Sequence, residues 1–275
     1  MRFTLKEYQE DAVVDVLNNL RKARRTWRHD RDPSSFSLTA TTGAGKTVMA
    51  AAVIEALFNG NDEYDFDADP GAVVLWFTDD PALNEQTRFR LNQASDVGSI
   101  RSTVIDNSFQ EEQLSPGQVY FLNSQKLGKN SLLVRGAPEA DRNGLFPMSR
   151  AAPDMRAHTM WDVLRNTIGD ESLTLYLVLD EAHRGMNTRA RQVRERATIV
   201  QRMVNGDSGV PPIPVVIGIS ATVERFNTAM SEAQGRVNYP NVVVDPVRVQ
   251  ASGLLKDDIR LEFPAEAGCN PPIFH

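Results

Sequence analysis

The segment from Ala40 to Thr47, Ala-Thr-Thr-Gly-Ala-Gly-Lys-Thr, constrains the fold of this chain more than any other. It lies between Ser34 to Thr39, which we predict as a strand, and the Ala-rich stretch Thr47 to Phe58, which we predict as a helix. Apart from Ala at its first position, this order matches a motif that binds phosphate groups. Glycines there let backbone N–H groups wrap around phosphates, and the helix N-terminus adds positive potential. We therefore predict a phosphate-binding loop with its turn at Gly43 to Lys46.

Each part of this loop has an expected task. Lys46 is expected to neutralise the charge of the β- and γ-phosphates, and the Thr47 hydroxyl to hold magnesium. A Gly-rich helix start with an incidental lysine is the alternative, and it does not account for the strand and helix on either side. The backbone predicted to surround the phosphates belongs to Thr42, Gly43, Ala44 and Gly45.

Strand and helix patterns alternate along the rest of the chain. Because parallel neighbours need crossover connections, this alternation predicts an α/β fold, a mostly parallel twisted sheet with helices on both faces. An acidic loop, Gly60 to Pro70, and an insertion between Gly128 and Pro153 interrupt the pattern. The further predicted strands are Ala72 to Thr78, Gln118 to Leu122, Leu173 to Leu179 and Val215 to Ile219, and the further helices are an amphipathic one from Leu5 to Leu20, Pro81 to Asn92 and Arg189 to Val204.

Composition limits the classes of protein that this chain resembles. The apolar runs fall far short of the roughly 20 residues of a membrane span, and a signal-peptide pattern is absent, so we expect no membrane partner. A single cysteine, Cys269, excludes an intrachain disulfide and favours a cytoplasmic location. The formal net charge of -6 gives no global electrostatic signal for nucleic acid. Any contact with nucleic acid is therefore expected to be local.

Two acids follow the apolar strand Leu173 to Leu179, in the order Asp180-Glu181-Ala182-His183. A carboxylate at a strand end, here Asp180, can order a magnesium shell. An adjacent one, Glu181, can orient and deprotonate an attacking water, as phosphoryl transfer to water requires. We expect these acids one sheet position away from the phosphate-binding loop. A cap of the following helix is the alternative task for Asp180.

Ser220-Ala221-Thr222 follows the strand Val215 to Ile219. Alone, such a Ser-x-Thr is typical of a helix cap. Together with the phosphate-binding loop and the acids, it resembles motifs I, II and III of superfamily 2 helicases of the DEAD/DEAH-box type. The resemblance implies a RecA-like first motor domain, hydrolysis of ATP by Lys46, Thr47, Asp180 and Glu181, and relay of the nucleotide state by His183, Ser220 and Thr222.

Within that superfamily, the chain more closely resembles the helicase part of type III restriction enzyme Res subunits and related proteins. Leu5-Lys6-Glu7-Tyr8-Gln9 looks like the family's N-terminal adenine-reading motif, with Gln9 as the reader; a polar flank of an amphipathic helix is the alternative. The other stretches that carry the resemblance are His158 to Asp162, Asp180 to Gly185, Gly218 to Phe226 and Ala251 to Asp257.

Two segments differ from the pattern of relatives or add to it. Asp79-Asp80-Pro81 stands where many relatives have Pro-Thr-Arg, and acids there repel a phosphate backbone, so Gln86, Thr87 and Arg88 become the candidates for nucleic-acid contact. The basic stretch Arg21 to Arg28, with Trp27, either grips nucleic acid or is a solvated helix end, and we favour the helix end.

The expected division of the chain is a RecA-like domain over 1–250 and the start of a linker over 251–275. Helicases of this type carry an arginine finger in a second RecA-like domain, which we expect C-terminal to this chain. Gln234-Gly235-Arg236 superficially resembles that domain's arginine motif, but we interpret it as a loop.

The leading hypothesis is a Mg²⁺-dependent ATPase that drives a DNA helicase or translocase of a restriction or phage-defence system. RNA is the alternative polymer. A nucleotide-responsive module that binds nucleic acid or protein and hydrolyses little is the alternative function. The retention of both phosphate-binding and water-activating groups argues against that module.

Overall fold

The computed structural model describes residues 1–79, 81–96, 98, 100–128, 130–135, 156–180, 190–231 and 233–254 of the 275-residue chain. Within them the helices are α1 (Glu7–Asp30), α2 (Lys46–Asn59), α3 (Pro81–Ala94), α4 (Met160–Gly169), α5 (Ala190–Asn205), α6 (Val223–Met230) and α7 (Pro246–Ala251). The strands are β1 (Ser34–Thr39), β2 (Ala72–Thr78), β3 (Arg101–Val104), β4 (Gln118–Asn123), β5 (Thr174–Asp180), β6 (Val215–Ser220), β7 (Val237–Asn238) and β8 (Val242–Val243), and a 3₁₀ turn spans Ser124–Leu127.

The strands form one parallel sheet in the order β3-β4-β2-β5-β6-β1-β7, and β8 pairs with the carboxyl end of β1. This arrangement confirms the predicted α/β fold with a mostly parallel sheet. All five predicted strands are present, with boundaries that differ by at most one residue. The pattern missed β3, β7 and β8, which have only two to four residues each, and the helices α4, α6 and α7.

The order of the strands corrects one expectation. β1, which leads into the phosphate-binding loop, and β5, which ends at Asp180, are not neighbours, because β6 lies between them. In register, Thr39 of β1 pairs with Ser220 of β6, and Asp180 of β5 pairs with Ile219 of β6. The carboxyl ends of these three strands therefore share one edge of the sheet, where open α/β sheets bind ligands.

Side chains alternate between two apolar cores, one on each face of the sheet. On β5, Tyr176 and Val178 face the core formed with α1, α2 and α3. Leu175, Leu177 and Leu179 face the core formed with α4, α5 and α6. Asp180 continues the alternation of Tyr176 and Val178, so the sheet places it on the same face as α2.

The helix α1 continues to Asp30 and includes the predicted basic stretch. Arg21 and Arg24 donate to the main-chain oxygens of Asp65 and Asp67 in the acidic loop, and both guanidinium groups lie over the ring of Phe66. Trp27 is buried, in contact with the apolar core. These contacts favour the interpretation of the basic stretch as a helix end. The arginines bind the acidic loop of the same chain and not a nucleic acid.

A polar network ties the end of α1 to the amino ends of the strands. Asp69, 1% exposed, accepts hydrogen bonds from the Tyr176 hydroxyl at 2.7 Å and from the Arg28 guanidinium at 2.8 Å. The main-chain N–H of Gly71 donates to the same carboxylate at 3.2 Å. Burial and the charge of Asp69 hold the pKa of Tyr176 well above its usual value, so the hydroxyl stays a donor.

Candidate active site

The predicted phosphate-binding loop follows β1 at the carboxyl edge of the sheet, and α2 begins at Lys46. Gly43 and Gly45 have φ angles of 90° and 82°, in the left-handed region that glycine favours. A Cβ at Gly45 would also collide with the side-chain amide nitrogen of Gln9. Glycine is required at position 45 for both reasons. Thr42 and Gly43 are exposed at the tip of the turn, whereas Ala44 is buried.

Two side chains of α1 are hydrogen-bonded to the backbone of this loop. The Tyr8 hydroxyl and the Gln9 Nε2 each donate to the main-chain oxygen of Ala44 at 3.0 Å. The Oε1 of Gln9 accepts from the main-chain N–H of Lys6 at 2.9 Å, and the side chain is buried. Burial raises the pKa of Tyr8, which keeps its hydroxyl protonated.

Gln9 thus lies against the loop, with both atoms of its amide bonded to main chain. Recognition of adenine by Gln9 stays a prediction, and the structure adds contact with the loop. Sequence reasoning missed Tyr8, although its position beside Gln9 at the start of an amphipathic helix is the signal that would have identified it.

Lys46 lies within the loop. Its Nζ donates to the main-chain oxygens of Ala40 at 2.6 Å and Thr41 at 3.1 Å, and among the described residues it forms no ion pair. Burial lowers the pKa of Lys46, and the nearby charge of Asp180 partly opposes this effect. The Oγ1 of Thr41 is buried, and no hydrogen-bond partner is found for it among the described residues. Positive charge and a buried hydroxyl therefore converge inside the loop.

Asp180 ends β5 on the face covered by α2, and its Oδ2 accepts a hydrogen bond from the indole Nε1 of Trp76 at 3.1 Å. The strand register brings Asp180 to the same edge of the sheet as the loop that contains Lys46. Glu181 and His183 lie outside the described residues. Sequence reasoning also missed Trp76, whose signal is an indole N–H in the otherwise apolar run from Ala72 to Phe77.

The Ser-Ala-Thr segment adjoins the first residue of the loop. The main-chain N–H of Ala40 donates to the main-chain oxygen of Ser220 at 3.2 Å, and the Ser220 side chain is buried. The Thr222 N–H donates to the Ser220 Oγ at 3.2 Å, and the Ser220 hydroxyl donates back to the Thr222 oxygen. Thr222 precedes α6 without a side-chain cap. The segment is thus bonded to the loop by main chain, and its relay function stays a prediction.

Gly218 makes room for the helix that follows this segment. A Cβ at Gly218 would overlap the ring of Phe226, which is buried against β6 in the core shared with α4 and α5. The packing of Phe226 on Gly218 fixes the start of α6 directly after Thr222. The position of the Ser-Ala-Thr segment therefore depends on a residue without a side chain.

The nucleic-acid candidates lie on α3 in different surroundings. Gln86 is exposed, whereas Thr87 is buried and faces the core. Arg88 forms an ion pair with Glu85 at 2.8 Å. Beside them, Phe89 is 64% exposed. Gln86 and Arg88 are thus the accessible candidates of the three.

Arg236 is remote from this edge. Its guanidinium donates to the main-chain oxygens of Val204 and Ser34, the latter at 2.7 Å and at the amino end of β1, and also to that of Ile213. Burial lowers its pKa to about 10, so it stays charged at neutral pH. The segment before β7 forms neither helix nor strand, which confirms the loop interpretation of Gln234 to Arg236.

The residues at the loop fit a nucleoside triphosphate with Mg²⁺. The left-handed glycines, the ammonium of Lys46 and the buried hydroxyl of Thr41 suit phosphate, while Thr47 and Asp180 supply oxygen ligands of the kind that Mg²⁺ prefers. In the described part of the chain, no group of three or more His, Cys, Asp or Glu side chains is placed to hold a metal alone. Magnesium in nucleotide sites depends on few protein groups together with phosphate oxygens.

No helix among the described residues has the length and apolar character to cross a membrane.

Among known proteins, one family model matches most of the chain. The family model described as "Type III restriction enzyme, res subunit" matches residues 2–225 of the chain. None of the curated proteins compared with the chain matches it.

Three solved structures are similar to parts of this one. A nuclease-deletion mutant of the Type ISP restriction-modification enzyme LlaGI, in complex with a DNA substrate mimic, is 15% identical with a TM-score of 0.39, over 80% of this chain and 18% of that one. The UvsW helicase from bacteriophage T4 is 13% identical with a TM-score of 0.40, over 87% and 61%. A hypothetical ATP-dependent RNA helicase from Sulfolobus tokodaii is 12% identical with a TM-score of 0.43, over 87% and 54%. The chain therefore spans less than two-thirds of each of these three chains.

Proposed function

Because the chain belongs to the type III restriction enzyme res subunit family, we propose that it binds and hydrolyses ATP with Mg²⁺ as the first motor domain of a DNA helicase or translocase. Membership makes it a RecA-like domain of superfamily 2. The observation that carries the proposal is geometric: the phosphate-binding loop that follows β1 and the carboxylate of Asp180 at the end of β5 lie at one edge of the sheet, on either side of β6.

The loop supplies most of the binding in this proposal. Main-chain N–H groups from Thr42 to Gly45 and the N-terminus of α2 bind the phosphates, and Lys46 exchanges its carbonyl partners for phosphate oxygens. Thr47 and Asp180 hold Mg²⁺. When bound, Mg²⁺ draws negative charge from the transferred phosphoryl group.

Hydrolysis also needs a water held in line with the γ-phosphate. We assign its orientation and deprotonation to Glu181, which directly follows Asp180 along the chain. Ser220 and Thr222 are assigned to the relay of nucleotide state, together with His183, because Ser220 is bonded by main chain to Ala40 at the start of the loop.

The proposed polymer is DNA, since the family is named for restriction enzymes, and RNA is the alternative. Gln86 and Arg88 are the proposed contacts on α3. A second RecA-like domain, reached through a linker that starts at residue 251, is proposed to supply the arginine finger, because Arg236 is held by main-chain oxygens at the amino ends of the strands. Without that arginine, turnover is expected to be slower by roughly 10³–10⁵.

Single-turnover hydrolysis of ATP, with and without DNA, tests this function. We expect slow Mg²⁺-dependent hydrolysis, and we expect Glu181→Gln to bind ATP while losing turnover. Glu63→Gln, a change of an exposed acid in the loop before β2, is the matched control and should behave like the unsubstituted protein.

Two outcomes would change the assignment. Equal turnover by Glu181→Gln and the unsubstituted protein would exclude Glu181 as the base. Nucleotide binding without any turnover, even with DNA and a second RecA-like domain added, would favour the binding module over the motor.

A further inference from the structure

Trp76 is a buried indole on the face of β2 that α2 covers. It is 1% exposed, and its ring lies 6.0 Å from that of Phe121 on β4, tilted by 34°. The surroundings are apolar and include Ala50 and Val178. An indole N–H in such a place needs an acceptor, because an unsatisfied buried donor costs free energy. The acceptor is the Oδ2 of Asp180 at 3.1 Å.

The sheet dictates this contact. β2 and β5 are parallel neighbours, and Trp76 pairs in register with Val178. Asp180 stands two residues beyond Val178 on the same face of the sheet. The indole of Trp76 thus reaches along the strands to the carboxylate of Asp180 at their ends. A phenylalanine ring at this position has no N–H to donate to that carboxylate.

We propose that Trp76 is a positioning residue for the metal of the nucleotide: its N–H fixes one oxygen of Asp180 so that the carboxylate stays directed to the start of α2. This inference rests on the proposed function, because it assumes that Asp180 serves Mg²⁺. Groups that orient metal ligands typically change metal affinity by about 10–100-fold when they are removed. A ring that serves packing alone has no such effect.

Trp76→Phe tests the inference, because it removes the N–H while keeping an aromatic ring. The measurement is the binding of a fluorescent ADP analogue during titration with Mn²⁺ or Mg²⁺, compared with binding in EDTA. We expect the metal concentration for half-maximal enhancement to rise about 10-fold, while metal-free nucleotide affinity stays within about twofold. Trp161→Phe is the matched control, since Trp161 is a buried indole of α4 in the other core.

A second measurement uses the unsubstituted side chain at position 76. In protein labelled with ¹⁵N at its indoles, Trp27→Phe and Trp161→Phe identify the remaining signal as that of Trp76. That signal should move when Mg²⁺ is added to the nucleotide-loaded protein. This readout keeps the inference testable if Trp76→Phe does not fold.

The outcomes separate this inference from the proposed function. Two results would overturn the positioning role and leave nucleotide binding intact. One is an unchanged metal concentration for half-maximal enhancement in Trp76→Phe, and the other is an indole signal of Trp76 that does not shift when Mg²⁺ is added. Absence of nucleotide binding by the unsubstituted protein would overturn the proposed function and this inference with it.

Discussion

The two ends of the sheet hold their polar groups in different ways. At the amino ends, the buried charge of Asp69 is paired with the half-exposed Arg28 and accepts a hydrogen bond from the buried Tyr176. At the carboxyl ends, Lys46 is bonded to main-chain oxygens, and the hydroxyl of Thr41 is buried without a partner among the described residues. The first arrangement satisfies its charges and fixes the fold. The second keeps charge and hydrogen-bonding capacity for a ligand.

This comparison predicts which substitutions affect stability and which affect binding. Substitutions at the amino ends should change the free energy of unfolding and leave nucleotide affinity unchanged. Substitutions at the carboxyl ends should change nucleotide affinity, with an effect on stability only where the backbone itself is strained.

Asp69→Ala should have the largest effect on stability. It leaves the Tyr176 hydroxyl buried without its acceptor and removes the partner of Arg28, so we expect a loss of about 3 kcal/mol in the free energy of unfolding. Urea denaturation measures that loss. Glu171→Ala, which removes an exposed partner of Arg31, is the control and should not change the unfolding midpoint. A loss of nucleotide affinity in folded Asp69→Ala would break the division between the two ends.

Gly45→Ala should affect both the free energy of unfolding and the affinity for nucleotide. The left-handed φ and the collision with Gln9 should cost about 2 kcal/mol of stability and weaken nucleotide binding. Gly235→Ala is the matched control, because Gly235 has a φ of 63° and open space at its Cβ position. Gly235→Ala should lose only the stability that an alanine costs in a left-handed backbone conformation. Equal losses in the two variants would show that contact with Gln9 has no effect.

Tyr176→Phe should have the smallest effect and should depend on pH. Removal of one hydrogen bond to Asp69 should cost about 1–2 kcal/mol at neutral pH. Because folding raises the pKa of Tyr176, its contribution is complete below the ordinary tyrosine pKa of 10.0 and is lost as pH rises above it. Denaturation at several pH values between 7 and 11 should therefore show the two proteins converging at high pH. A constant difference would contradict the assigned pKa direction.

Local patterns predicted the parts of the molecule that depend on neighbours in sequence. The loop from Ala40 to Thr47, the acid at the end of β5 and the five longer strands each carry their signal within about ten residues. The structure placed the loop with Lys46 and the carboxylate of Asp180 at one edge, as strand ends in a parallel sheet predict. The short strands β3, β7 and β8 gave no pattern, because two to four residues contain too little alternation.

Contacts between distant segments were beyond such patterns. Trp76 and Asp180 are 104 residues apart, and Tyr176 and Asp69 are 107 residues apart. Their pairing follows from the order of the strands, in which β2 neighbours β5 and β6 separates β5 from β1. Neither composition nor periodicity fixes that order, so these networks became visible only in the folded chain.

Nucleotide binding by calorimetry, with Mg²⁺ present, tests the central claim most directly. We predict one ATP or ADP per chain for the unsubstituted protein and for Lys22→Ala, a change of an exposed lysine on α1. Lys46→Ala should bind about 10- to 100-fold more weakly, because it loses a charged donor to the phosphates. Equal affinity of Lys46→Ala and the unsubstituted protein would contradict the assignment of this loop as the phosphate site.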